Sequence, residues 1–219
     1  MYIAVIGDLV RSRQLEGRDD VQKHLKSVLK DINETYQEEL ASSFTITLGD
    51  EFQGLLKVPQ PLLRILFEIK DNLYPVKVRF GVGLGEITTD IDPSQSLGAD
   101  GPAYHAARSM ISEVKREEKG KRARATDIML GRSGKDECLT AVNAGLTLMR
   151  FMEESWTDKQ RENISDSILK GLNQSEIAEM RGLYQSTIHR SLVSAGFYEY
   201  EQAFQDFQLL INSVWRDLE

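Results

Sequence analysis

The succession of apolar patterns along this 219-residue chain predicts an α+β fold: an antiparallel sheet domain covered by helices, then an all-α domain. Three observations carry the prediction. Short β-branched runs alternate with amphipathic helical patterns up to about residue 131. Beyond that point only helical spacing recurs. The length suits a large domain with a small module attached, here expected at 1–135 and 136–219.

Each element follows from local chemistry. Residues 2–8, YIAVIGD, read as a short buried strand closed by Gly7 and Asp8. After the polar stretch LVRSRQLEGRDD, Val21, Leu25, Val28, Leu29, Ile32, Tyr36 and Leu40 recur at helical spacing. Residues 43–49 and 52–58 make two strands around Gly49-Asp50-Glu51. Pro59 and Pro61 precede a helix bearing Leu62, Leu63, Leu66, Ile69 and Leu73, which Pro75 ends. VKVRFGVGLGEIT alternates as a strand with one polar face, and 89–101 is a loop rich in Asp, Pro, Ser and Gly. Pro102 opens the next helix at its first turn. RARATDIML is a further strand. Helices are expected over 139–155 and 157–170, then a Gly-punctuated pair, then a last helix from about 199 to 217.

Composition narrows the function classes. With 41% hydrophobic and 28% charged residues the chain is an ordinary globular sequence. A net charge of −7 argues against a protein that coats nucleic acid non-specifically. A single cysteine, Cys138, excludes an internal disulfide framework and fits a reducing, cytoplasmic compartment. MYIAVIGD is too short for a secretory apolar region, and no run reaches the ~18 residues of a membrane span.

Two carboxylates stand out. Asp8 ends the first strand and Asp50 sits in the hairpin turn, each after a glycine that permits close approach of backbone or ligand, Gly7 and Gly49. If the two strands are neighbours, both carboxylates lie at one sheet end. With the carbonyl of Leu9 they can then hold one or two Mg²⁺ or Mn²⁺ ions, which in turn grip phosphates. Glu51 is either a third ligand or an exposed hairpin carboxylate. Arg11 and Arg13 are candidate phosphate clamps or a solvated loop. Arg108 either stabilises charge on a phosphate or pairs with Asp100 or Glu113. The run KREEKGKRAR reads as a solvated helix end or a triphosphate patch, and His24 and His105 as non-ligands.

Asp8 at a strand end, L-GDEF in a hairpin, VRFGVGLGEI and GPAYHAARSM together resemble the class III nucleotide cyclases and their GGDEF relatives, in the same order. The resemblance covers roughly residues 2–115. It implies a ferredoxin-like, palm-like antiparallel sheet, two metal-binding aspartates (Asp8 and Asp50), a nucleotide ligand and a Gly-rich turn after the hairpin's following strand. It also implies a transition-state arginine at Arg108, reaching across a homodimer interface. The pattern departs from those families at Tyr104, where an Asn stands, at Ile46, where a base-reading Lys stands, and at Leu48, the first Gly of GGDEF. Over its whole length the chain also resembles the bacterial SatD family, which carries no well-defined activity over.

GLNQSEIAEMRGLYQSTIHRSLVSAG, within about 172–195, has helix-turn-helix spacing: small Ala178, Gly182 four residues later, and Ile188 ten residues after Ala178. Ile177, Leu172 and Leu192 surround Ile188. It resembles the region-4-like module of sigma factors. The second helix is expected from Gln185, offering Gln185, Ser186, Thr187, His189 and Arg190 to base edges or phosphates. Against this, residues 156–219 carry six basic and ten acidic residues, a net −4, so one copy would bind DNA weakly. The last helix has one apolar stripe, Phe204, Phe207, Ile211, Val214, Trp215 and Leu218, to be buried against the first domain or a second copy.

The reading is a DNA-binding regulator in which a metal- or nucleotide-binding domain controls a helix-turn-helix module. A nucleotidyl cyclase-like enzyme acting on a nucleoside triphosphate with two Mg²⁺, and a degenerate palm acting as assembly scaffold, are the alternatives.

Overall fold

The computed structural model describes residues 1–10, 17–119 and 126–218. Arg11 and Arg13, and three basic residues of the KREEKGKRAR run (Lys121, Arg122 and Arg124), lie outside them. The elements run β1 (Tyr2–Leu9), α1 (Arg18–Thr35), β2 (Leu40–Leu48), β3 (Glu51–Leu56), α2 (Leu62–Leu73), β4 (Val78–Gly85), α3 (Pro102–Lys119) and β5 (Ile128–Arg132). Then come only helices: α4 (Glu137–Ser155), α5 (Asp158–Lys170), α6 (Gln174–Arg181), α7 (Gln185–Ser194) and α8 (Phe197–Arg216). The sheet order is β2-β3-β1-β4-β5. The first four strands pair antiparallel, which is the ferredoxin-like βαββαβ arrangement. β5 adds a parallel edge beside β4.

The sheet has two unlike faces. On one, Ile3, Val5, Phe52, Phe80 and Val82 are fully buried under α1 and α2. Leu139, Val142 and Met149 of α4 and Tyr200, Ile211 and Val214 of α8 belong to that same core, so the C-terminal helices pack on the sheet's own hydrophobic layer. The stripe of α8 is satisfied within the chain. Phe204 meets Phe67 of α2 edge-on at 6.2 Å, and Phe207 lies over Gly145 of α4, where a Cβ would come within 1.9 Å of its ring.

The other face is covered by α3 and the loop before it, which places Ile87, Ile91 and Ala99 against a smaller core of Ala4, Ile6, Leu55, Ala103, Tyr104, Ala107 and Ile111. This explains VRFGVGLG. The alternate residues of β4 are not a polar face but a glycine track on which α3 lies. A Cβ at Gly81 would stand 2.2 Å from the Ala107 carbonyl oxygen, and one at Gly83 2.0 Å from that of Ala103. These glycines therefore serve close helix–strand packing inside the strand, and the Gly-rich turn implied by the cyclase resemblance is absent from these described residues.

Two boundaries differ from the periodicity. Helical spacing continues to Leu40, but α1 stops at Thr35 and Leu40 opens β2, paired with Leu56. Here ladder pairing overrides the helical pattern. The hydroxyl of Tyr36, which closes α1, donates to Glu68 at 2.8 Å, and burial beside that carboxylate pushes the phenol up to about 12.

A Gly83→Ala substitution must displace backbone rather than a flexible side-chain tip, and its expected cost in urea denaturation is about 3 kcal/mol. Gly98→Ala, at φ +87 but with open space around it, should cost only about 1 kcal/mol.

Candidate functional site

Asp8 lies on the α3 face, near the end of β1, and is almost fully buried. Its direct neighbours across the ladders are Glu51 on β3 and Arg79 on β4. Opposed residues share a sheet face, so Glu51 rather than Asp50 is the carboxylate that stands opposite Asp8. Asp50 lies one residue outside the ladder, its carbonyl accepting from the Leu9 N–H at 3.2 Å. Gly49 takes φ +64 to make the turn, and its carbonyl accepts from Gln22 of α1 at 2.9 Å. Leu9 itself points into the large core.

Cations already surround Asp8. Lys115 of α3 reaches its Oδ2 at 3.2 Å and Arg79 Nε approaches it at 3.6 Å, while Arg79 also pairs with Glu118 at 3.3 Å. A divalent ion at Asp8 would have to displace two positive groups. Among the described residues no group of three or more His, Cys, Asp or Glu could hold a metal ion. As arranged, these residues do not fit a Mg²⁺ or Mn²⁺ centre.

Arg108 is exposed on α3, seven residues, hence about 10 Å along the helix, from Lys115. The chain does not bring it to Asp8. Among the described residues neither proposed carboxylate takes it: Asp100 pairs with His105 at 3.2 Å, and Glu113 pairs with Arg116. His24 is held by the Asn72 carbonyl at 2.8 Å. Tyr104 occupies a core position, 2% exposed. Burial pushes its phenol well above the ordinary range.

The most developed polar site was invisible to motif reading. Where α2, the start of β5, α4 and α8 meet, Lys70 contacts Asp127 at 2.6 Å and Glu153 at 2.7 Å. Arg150 approaches Asp127 and Glu153 at 3.4 Å and Glu154 at 3.0 Å, and the Tyr200 hydroxyl donates to Glu153 at 2.7 Å. A signal existed. Glu153 continues the apolar stripe Leu139, Val142, Leu146, Met149, a place where a charge must find a partner. Burial favours neutral Asp127, and its carboxyl stays above the usual range despite Lys70. For Glu153 burial acts the same way but is outweighed by Lys70 and Tyr200, which hold it below the usual range.

The α6–α7 pair has the predicted helix-turn-helix form. Asn173 and Glu176 form a capping box at the start of α6, and Gly182 ends it at φ 63. Ile177, Ala178, Ile188 and Leu192 are buried between the helices. α7 begins at Gln185 and presents Gln185, Ser186, His189 and Arg190 to solvent, with Thr187 half-buried. Gln185 donates to Gln174 at 2.5 Å, His189 lies 3.4 Å from the Tyr198 hydroxyl, and Arg190 Nε donates to the Ser186 carbonyl at 3.3 Å. Arg181 is committed elsewhere, to Glu162 at 2.6 Å and Asp166 at 2.5 Å.

A model of the SatD family matches residues 2–210. The chain belongs to the SatD family. No curated protein matches this SatD-family chain. Among solved structures it is similar to a bacterial light-regulated adenylyl cyclase, at 14% identity over 59% of this chain and 74% of that one, with a TM-score of 0.42. A likeness of that size carries no chemistry across. No helix is long and apolar enough to cross a membrane among the described residues.

Replacing Lys70 by Met leaves Asp127 and Glu153 buried without their closest cation, at an expected cost of about 3–5 kcal/mol near neutral pH. In the variant the Glu153 contribution should change sign and join that of Asp127, whose raised carboxyl in the native chain already contributes stability that is lost as pH rises. In the native chain the depressed Glu153 contributes stability above its unfolded value of 4.5 that is lost as pH falls through its folded value. Without Lys70, burial raises both carboxyls, so their favourable protonated forms are lost as pH rises. Urea midpoints of the variant should therefore increase as pH is lowered from neutrality toward the carboxylate range.

Proposed function

We propose that this SatD-family chain is a DNA-binding regulatory protein in which the sheet domain takes up a small ligand and controls the helix-turn-helix module. The observation that carries the reading is the presentation of α7. Its N-terminal face is exposed, and its apolar face is fixed against α6 by Ile177, Ala178, Ile188 and Leu192. From Met180 to Tyr198 the sequence has no Asp or Glu, although the chain holds 34 of them. The acidic charge of the C-terminal half thus sits on other helices, and the helix that would enter the major groove is neutral-polar with Arg190 and His189.

Phosphate contacts are few on one such module, so binding is weak per copy, and a homodimer on two half-sites supplies the rest. A cytoplasmic location goes with this role. The cyclase-like reading has less support, because Asp8 is already ion-paired and Arg108 is remote from it within one chain.

Selection of bound fragments from random-sequence duplex DNA, followed by anisotropy titration, tests the reading. Arg190→Ala and Gln185→Ala should each weaken the selected site by about 1–3 kcal/mol, with Gln185→Ala relaxing sequence preference. Affinity unchanged in both variants would remove α7 as the reader.

A further inference from the structure

The buried charge cluster forms the floor of a cavity of about 750 Å³ at the seam between the sheet and the C-terminal helices. Its volume is that of a small-molecule site. Its walls come from both halves: Tyr74 and Lys77 before β4 and Arg79 on it, Phe151 on α4, Trp156 after α4 and Arg161 on α5.

Two features of this lining point to a missing acceptor. Each acidic side chain in it is matched by a lysine or arginine: Glu118 by Arg79, Glu154 by Lys77 and Arg150, Asp127 and Glu153 by Lys70 and Arg150. Arg161 is different. It forms no ion pair among the described residues and is held by stacking, its guanidinium carbon 4.4 Å from the Tyr74 ring centroid and 5.4 Å from that of Trp156. Its NH2 group donates to the Glu153 carbonyl at 2.9 Å, but its Nε is buried with no hydrogen-bond partner. Arg79 Nε also lacks a hydrogen bond, but its guanidinium is ion-paired with Asp8 at 3.6 Å and with Glu118 at 3.3 Å. Arg161 thus brings to the cavity a guanidinium charge with no acidic partner among the described residues, which an anionic group would balance. Beside Arg161 the buried Trp156 forms part of the wall, and Phe151 offers aromatic surface, standing 69% exposed at the rim, an unusual state for a phenylalanine.

We infer that the seam cavity binds a small anionic molecule carrying a planar ring, with Arg161 receiving a phosphate or carboxylate and Phe151 covering the ring. This gives the regulatory reading its ligand site and moves that site from Asp8 to the junction between the halves. Control of α7 by the ligand rests on that reading; binding itself does not, and is measured without DNA.

The experiment uses the full chain with Trp215→Phe, which leaves Trp156 as the only tryptophan. Adenosine 5′-monophosphate and phenyl phosphate are titrated while its fluorescence is followed, with inorganic phosphate and adenosine as separate arms. At least one of the two ring-bearing phosphates should saturate the signal, with each partial probe about tenfold weaker or more. Arg161→Gln and Phe151→Glu should each weaken binding by about tenfold or more. The rim position of Phe151 keeps the test valid if Arg161→Gln proves unstable. No response to either ring-bearing probe at millimolar concentration, an equal response to phosphate alone, or undiminished binding in Phe151→Glu would overturn the assignment. Loss of DNA binding in Arg190→Ala with ligand binding intact would leave it standing.

Discussion

The structure depends most on one constraint: five polar side chains must satisfy one another out of water. Lys70 belongs to α2, Arg150 and Glu153 to α4 and Tyr200 to α8, while Asp127 immediately precedes β5. Apolar contacts between sheet and helices are non-directional and would tolerate sliding. A desolvated lysine shared by two carboxylates does not tolerate it, because any displacement strands a buried charge. The cluster therefore specifies how the C-terminal helices sit on the sheet, and the cavity above it inherits its shape from the same contacts.

The opposite face obeys a steric rule instead. Only a side with no Cβ lets α3 descend onto β4, and Gly81, Gly83 and Gly85 supply it. The descent brings Lys115 and Glu118 down to the sheet end, where they meet Asp8 and Arg79. An arrangement that resembles a catalytic carboxylate site in its sequence order is thus, in three dimensions, a set of ion pairs tying a helix terminus to two strands. Both faces converge on Arg79, which borders the Asp8 cluster and the seam cavity alike.

Much of the fold was legible because its signals are local. Strand and helix order, the turn at Gly49 and the Ala178–Gly182–Ile188 spacing each follow from residues close together in the chain. The apolar stripe of α8 was legible as a stripe, but not its place within the chain, against Phe67 of α2 and over Gly145 of α4, whose missing side chain makes room for Phe207. What local reading could not reach was register. Whether Asp8 faces Asp50 or Glu51 is decided by one residue of strand pairing, and that choice also reverses which face each occupies. The charge cluster was out of reach for a related cause: its members lie up to 130 residues apart, between Lys70 and Tyr200, and only the packing of α4 and α8 brings them together. The helix positions of Lys70 and Glu153 announce that partners are needed without naming them.

The central claim is that the sheet and the C-terminal helices open as one unit because they share a core and a buried ionic cluster. Native-state amide hydrogen exchange on the full chain measures this most directly. The account predicts that the slowest amides of β1, β4, α4 and α8 exchange with a common free energy equal to that of global unfolding. Amides of α4 and α8 opening together at a markedly lower free energy, with the sheet still protected, would contradict it.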